Sequence, residues 1–197
     1  VTTKRDYVEA ILQVLNDFES REQQRYEQEI IDGHDASVRL PMVCRFIVAV
    51  DRSQTQQDAT ENVNLAIEFV QKEGSRMVVG VDLGGNPTKQ DFRDFQPVFQ
   101  RARDAGLQVT IHCADVPCGD DDSLNEAQSI IREREEAAAI LNFRPDRLGH
   151  DLLLSPSLQA TLDKLRIPVE TCPTSNVMTL ELAKLADGNL IHGLHQH

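Results

Sequence analysis

Met77-Val-Val-Gly-Val-Asp-Leu-Gly-Gly-Asn-Pro87 is the stretch that decides the fold. From Met77 to Leu83 the residues are almost all apolar, too few for a helix and rich in β-branched side chains, so they read as a strand. A strand apolar at nearly every position is buried on both faces, which is the habit of parallel sheets. It runs directly into Gly84-Gly85-Asn86-Pro87, a loop whose glycines leave backbone amides open to a ligand. Working outward, the same kind of strand recurs on both sides: Arg45-FIVAV-Asp51 upstream, then Leu107-QVTI-His112, Arg147-Leu-Gly-His150 and Ile167-PVET-Cys172 downstream.

One helix fits between each pair. Asp58-Ala-Thr-Glu61 reads as a capping box for a helix through Val63, Ile67 and Val70 that Gly74 can close. Pro97 is tolerated only in a first turn, so the next helix is expected to have its main body from Asp94 or Phe95 to Gly106. Ser123-Leu-Asn-Glu126 suggests a cap for a helix through Ile130, Ile131, Ala138 and Leu141, and Ser155-Pro156 opens one through Leu158, Leu162 and Leu165. Ahead of the first strand, Tyr7, Ile11, Leu15 and Phe18 recur as one buried helical stripe, and the charged stretch Glu19 to Arg39 reads as an extended helix end or an exposed loop. Strands separated by single helices mean consecutive right-handed βαβ units. Polar residues gather just after the strand ends (Asp51, Asp82, His112, Asp115, His150, Glu170), which suits a (βα)8 barrel whose chemistry sits on that rim, although a doubly wound sheet shares the cadence.

The chain of 197 residues holds 20 Lys+Arg against 32 Asp+Glu, a formal net charge of −12. Such a surface repels phosphate backbones and anionic lipid, which argues against duplex nucleic acid and membrane surfaces as partners. Hydrophobic residues at 40% place it among globular proteins, and no apolar run approaches the ~20 residues of a bilayer span. Cys44, Cys113, Cys118 and Cys172 form no CxxC pair, so reduced thiols in a cytoplasmic protein are expected. Oligomeric state is not legible.

Three constellations carry chemistry. In Thr110-Ile-His-Cys-Ala-Asp115, a histidine at a strand end has a carboxylate three residues on, suited to a metal ligand beside an acid or base. Taken alone, it is better described as a hydrogen-bonded rim histidine next to a solvated aspartate. In Arg147-Leu-Gly-His150, Gly149 permits close backbone approach and a second histidine ends a strand. In Glu170-Thr-Cys-Pro-Thr-Ser-Asn176, a strand enters a turn where Asn176 could bond its own backbone or a ligand. A cytidine-deaminase-type site at His112 and Pro117-Cys118 lacks the required H-x-E and C-x-x-C spacings, and Gly80 to Gly85 lacks the G-x-G-x-x-G of a dinucleotide site.

Val78-VGVDLGGN-Pro87, Ile111-HCA-Asp115, Arg147-LGH-Asp151 and Val169-ETCPTS-Asn176, in this order, resemble the zinc-dependent adenosine/AMP deaminase family. The chain is most similar to its adenosine deaminase-like branch, which acts on N-methylated AMP; Thr3-KRDYV-Glu9 and Phe46-IVAVD-Arg52 carry that finer likeness. The resemblance spans nearly the whole chain. It implies a partial (βα)8 barrel of about five parallel strands, with residues 1–197 forming one domain that lacks the family's first barrel strands and its last. It implies hydrolytic deamination of adenosine or an adenine nucleotide, with a purine nucleoside or nucleotide as partner, in purine salvage. It implies zinc as cofactor, with His112 as a ligand and the remaining family ligands outside this chain. The family's catalytic glutamate falls on Asp115, its hydroxide-orienting histidine on His150, and its purine-contacting glycine on Gly85 or Gly84.

The chain departs from the family in informative ways. Asp115 is one methylene shorter than Glu, and Asp151 stands where the family has Gly. The acidic loop Gly119 to Asp122 with its following helix looks inserted, and His195-Gln196-His197 reads as a tail rather than a replacement ligand pair. The alternative expectation is an inactive barrel remnant acting, if at all, as an interaction protein. Lys4 and Arg5 are the candidates for contacting a substrate phosphate, or else a solvated first helical turn.

Overall fold

The computed structural model describes residues 2–33, 40–72, 76–114, 126–151 and 153–179. Its elements run α1 (Lys4–Ile31), β1 (Phe46–Asp51), α2 (Gln56–Gln71), β2 (Val78–Gly84), α3 (Phe92–Asp104), β3 (Gln108–Cys113), α4 (Glu126–Phe143), β4 (Arg147–His150), α5 (Pro156–Leu165), β5 (Val169–Glu170) and α6 (Pro173–Thr179). The five strands form one sheet in the order β1-β2-β3-β4-β5. Every neighbouring pair is parallel. Strand order equal to chain order, with a helix after each strand, is the βαβ succession the sequence predicts, and it leaves all carboxyl ends on one edge.

The core lies between the sheet and its helices. Val81 and Leu83 of β2, Val109 and Ile111 of β3 and Leu148 of β4 are fully buried against Phe92, Phe95 and Phe99 of α3 and Ile140 and Leu141 of α4. The opposite face is more open than the apolar runs suggest. In β1, Val48 and Val50 are buried while Ala49 between them is exposed, so this strand alternates rather than being covered on both sides.

Several boundaries differ from the sequence expectations for local reasons. Helix α2 begins at Thr55, whose hydroxyl accepts from Asp58 N while the Asp58 carboxylate accepts from Thr55 N; the capping box is therefore Thr55/Asp58 rather than Asp58/Glu61. Helix α3 starts at Phe92 because the Asp91 carboxylate caps Arg93 N at 2.8 Å, and this places Pro97 inside the helix rather than in its first turn. Helix α1 continues to Ile31, through the polar stretch, on a ladder of same-face pairs: Arg25 with Glu22 and Glu29, Gln23 with Glu27, Gln28 with Asp32. Its buried contact is Val8, with Leu12 packed beside the core, whereas Tyr7 is 61% exposed. Strand β5 is shorter than expected, Val169–Glu170. The proposed Ser123 cap and the Gly74 terminator lie outside the described residues.

Candidate active site at the carboxyl ends of the strands

Strand pairing puts His112 of β3 opposite Gly149 of β4, and Cys113 opposite His150. Along β3 the side chains of Val109, Ile111 and Cys113 enter the core, so His112 points to the other face, where it is partly exposed. Its ring is held between two glycines. A Cβ on Gly149 would lie 2.9 Å from His112 Cδ2, and one on Gly84 would lie 3.5 Å from His112 Cε1. Gly149 is thus needed for the ring to sit this close to the β4 backbone. On the β2 side, Asp82 Oδ2 stands 3.4 Å from His112 Nε2, while Asp82 Oδ1 is buried with no hydrogen-bond partner.

His150 should, by strand alternation, follow Cys113 toward the helices. It does not, because its backbone adopts φ 71°, and Asp151 follows at φ 57°. The turn is pinned by Asp151 N, which donates to Cys113 O at 3.0 Å and to Gly149 O at 3.1 Å. The result brings the His150 ring edge-on to the His112 ring, with centroids 5.0 Å apart. His150 Nδ1 lies 2.6 Å from Oδ1 of Asn176, a residue only 1% exposed in α6. Asn176 has its backbone N bonded to Cys172 O, yet its side chain serves His150 rather than its own turn. Sequence reading left that role open; the signal was a strand-end histidine paired in space with an Asn after a Pro turn, which no local spacing reveals.

Asp151, next in the chain, is 8% exposed, and burial pushes its carboxyl up to about 7, with the Asp163 carboxylate adding to the effect. The left-handed backbone there explains why a glycine would suit the position and why Asp, which tolerates that conformation better than most residues, can replace it.

Gly85 adopts φ +87°, and a Cβ there would fall 2.2 Å from Asp51 Oδ1. Asp51 in turn accepts from Ser53 N and Oγ, so the loops after β1 and β2 close on each other beside Gly84. Glu170 on the same edge is engaged by Arg147 at 3.0 Å. Beneath these loops sits Arg52, 1% exposed, which donates to Gln90 O at 3.0 Å and to His112 O at 3.1 Å and pairs with Glu136. Glu136 also accepts from Phe92 N at 2.7 Å; its burial raises its pKa and Arg52 pulls it back. Neither the short sequence motifs nor the periodicity pointed to this pair.

Asp115 and Cys118 lie outside the described residues, as do His195 and His197. Lys4 and Arg5 are turned to α2: Lys4 bonds Asp58 and Glu61, and Arg5 bonds Glu68, so both cations are spent on ion pairs. Among the described residues no group of three His, Cys, Asp or Glu side chains gathers to hold a metal. His112 offers one imidazole, fewer than the three protein ligands a catalytic zinc takes, so the described residues alone do not fit that ion. Among the described residues no disulfide joins Cys44, Cys113 or Cys172, and no helix is long and apolar enough to cross a membrane.

Residues 22–192 match the family model described as adenosine deaminase. The chain belongs to the adenosine deaminase family. Among curated relatives of this adenosine deaminase family chain, the N6-mAMP deaminase of Arabidopsis thaliana is 32% identical over 190 residues, covering 93% of this chain and 47% of the relative. The N6-methyl-AMP deaminase of Homo sapiens is 33% identical over 182 residues, covering 89% and 42%. A solved structure of the ADAL–IMP complex superposes with a TM-score of 0.69 at 30% identity, covering 98% of this chain and 48% of that one. The chain therefore spans about half the length of the relatives it matches, and its five parallel strands with their helices are part of a (βα)8 barrel.

Proposed function

We propose that this chain is part of an enzyme that hydrolytically deaminates adenosine or an adenine nucleotide, N-methylated AMP included, giving the inosine-type product. The observation that carries the reading is the pair of imidazoles, His112 and His150, set 5.0 Å apart on adjacent strand ends in a chain of the adenosine deaminase family. Relatives named for N6-methyl-AMP deamination and a neighbour holding IMP support a nucleotide substrate.

In this reading water adds to the ring carbon bearing the amine, and ammonia, or methylamine from a methylated substrate, departs. Zinc in this family would supply a water acidified enough to react near neutral pH. His112 would be one of its ligands, the others coming from beyond the described residues. His150 would accept a hydrogen bond from the attacking water and fix its direction. Asp115 would give a proton to the ring nitrogen next to the reacting carbon, and Gly85 or Gly84 would meet the purine through the backbone. Residues 1–197 would form one adenosine deaminase-like domain needing further barrel strands, and the setting would be cytoplasmic purine salvage.

The test is amine release from adenosine, AMP and N6-methyl-AMP, with zinc measured by elemental analysis. The 197-residue chain alone is expected to hold zinc weakly and to release negligible amine, whereas a protein carrying it together with the strands its relatives have is expected to do both. Failure of that longer protein on all three substrates would overturn the reading.

A further inference from the structure

We propose that Asn176 is a positioning residue that fixes the tautomer of His150, keeping the proton on Nδ1 and leaving Nε2 as a bare acceptor. The contact is short: 2.6 Å separates His150 Nδ1 from Asn176 Oδ1, a spacing that suits a ring N–H donating to an amide oxygen and is tight for two facing nitrogens. The partner is not free to move away. Asn176 is 1% exposed, and its backbone N is tied to Cys172 O at 2.9 Å just after Pro173 opens α6.

The histidine is held just as firmly, and at a cost. A non-glycine residue at φ 71° is strained and persists only where its surroundings over-determine it. Here the following Asp151 N locks the turn to Cys113 O, and the ring lies edge-on to His112. A strained backbone that carries a ring across the sheet face, onto a buried amide with one acceptor oxygen, specifies more than ring position. It specifies which nitrogen bears the hydrogen. In a neutral imidazole one nitrogen donates and the other accepts, so a donor at Nδ1 makes Nε2 the acceptor. That is the form required if His150 is to receive a hydrogen bond from the attacking water, so the functional consequence rests on the deaminase reading while the tautomer itself does not.

The test reads the tautomer directly. The 197-residue chain, with histidines labelled with ¹⁵N, is examined by long-range proton–nitrogen correlation above the histidine titration range, and His150 is assigned by the signal missing in His150→Gln. The wild-type chain is expected to show His150 with a protonated Nδ1 and a bare Nε2. Asn176→Ala is expected to lose that pattern and move toward the Nε2–H form or a mixture, a change that loosened packing alone would not direct to one ring. A wild-type His150 in the Nε2–H form overturns the proposal, and needs no variant to fold. A pure Nδ1–H form retained in Asn176→Ala also overturns it. If the longer protein fails to deaminate any purine while wild-type His150 keeps the Nδ1–H form and Asn176→Ala loses it, the reaction falls and the tautomer assignment stands.

Discussion

Asp151→Asn should remove the contribution that the Asp151 carboxyl makes to the pH dependence of stability between about pH 4 and pH 7. Asp151 is 8% exposed, and burial, reinforced by the Asp163 carboxylate, raises its carboxyl from 3.8 to about 7. In the unfolded chain the group ionises near 3.8, whereas the folded chain keeps its proton until about pH 7. Between those values the folded state binds the extra proton, so this group's contribution to stability is greatest below about pH 4 and is lost as pH rises to about 7. The slope is about 1.4 kcal/mol per pH unit across a window about three units wide, so the loss is on the order of 4 kcal/mol by pH 8. Asn has nearly the same shape, tolerates the left-handed backbone at φ 57° and carries no charge. Urea unfolding of both chains at pH 4.5, 6, 7 and 8.5 should therefore show near-equal stability at the lowest pH and a gain of a few kcal/mol for Asp151→Asn at the highest. An equal difference at every pH, or a variant less stable than wild type at pH 8.5, would refute the assignment of a buried, proton-holding carboxyl.

Arg52→Met should destabilise by about 3–5 kcal/mol in urea unfolding, because it leaves the buried Glu136 carboxylate without its partner. Adding Glu136→Gln, which still accepts from Phe92 N, should recover much of that loss. Gly149→Ala should cost about 1–3 kcal/mol in thermal or urea melts, since the new Cβ meets the His112 ring at 2.9 Å and must displace it. In the longer protein, Asp115→Glu should raise the deamination rate, as a catalytic group misplaced by ~1 Å can cost roughly a hundredfold; an unchanged rate would mean the site is built around Asp.

The parallel order of β1 to β5 was legible because each strand is short, apolar and separated from the next by one helical period, which leaves few alternatives. The ends of β3 and β4 were legible within a residue, and His112 and His150 could be named as rim residues from their positions, whereas β5 ends at Glu170, short of the expected Cys172. Helix starts were less so. Thr55 and Asp91 won the capping contests because a cap is decided by which side chain reaches a free N–H, and several candidates fit the spacing. The open face of β1 at Ala49 could not be read from FIVAV, because hydropathy reports what a strand tolerates and not what covers it. Asn176 against His150 and Arg52 against Glu136 were illegible for a different reason: each pair joins residues far apart in sequence, and only the folded chain brings them within bonding distance.

The most direct measurement of the central claim compares amine release from N6-methyl-AMP, AMP and adenosine with zinc content, in a protein that carries this chain together with the further strands of its relatives, before and after His112→Ala. Amine release by the unaltered protein, and loss of zinc and activity together in His112→Ala, is the predicted result. Undiminished amine release by His112→Ala, or full zinc occupancy without release of amine from any of the three purines in the unaltered protein, would contradict it.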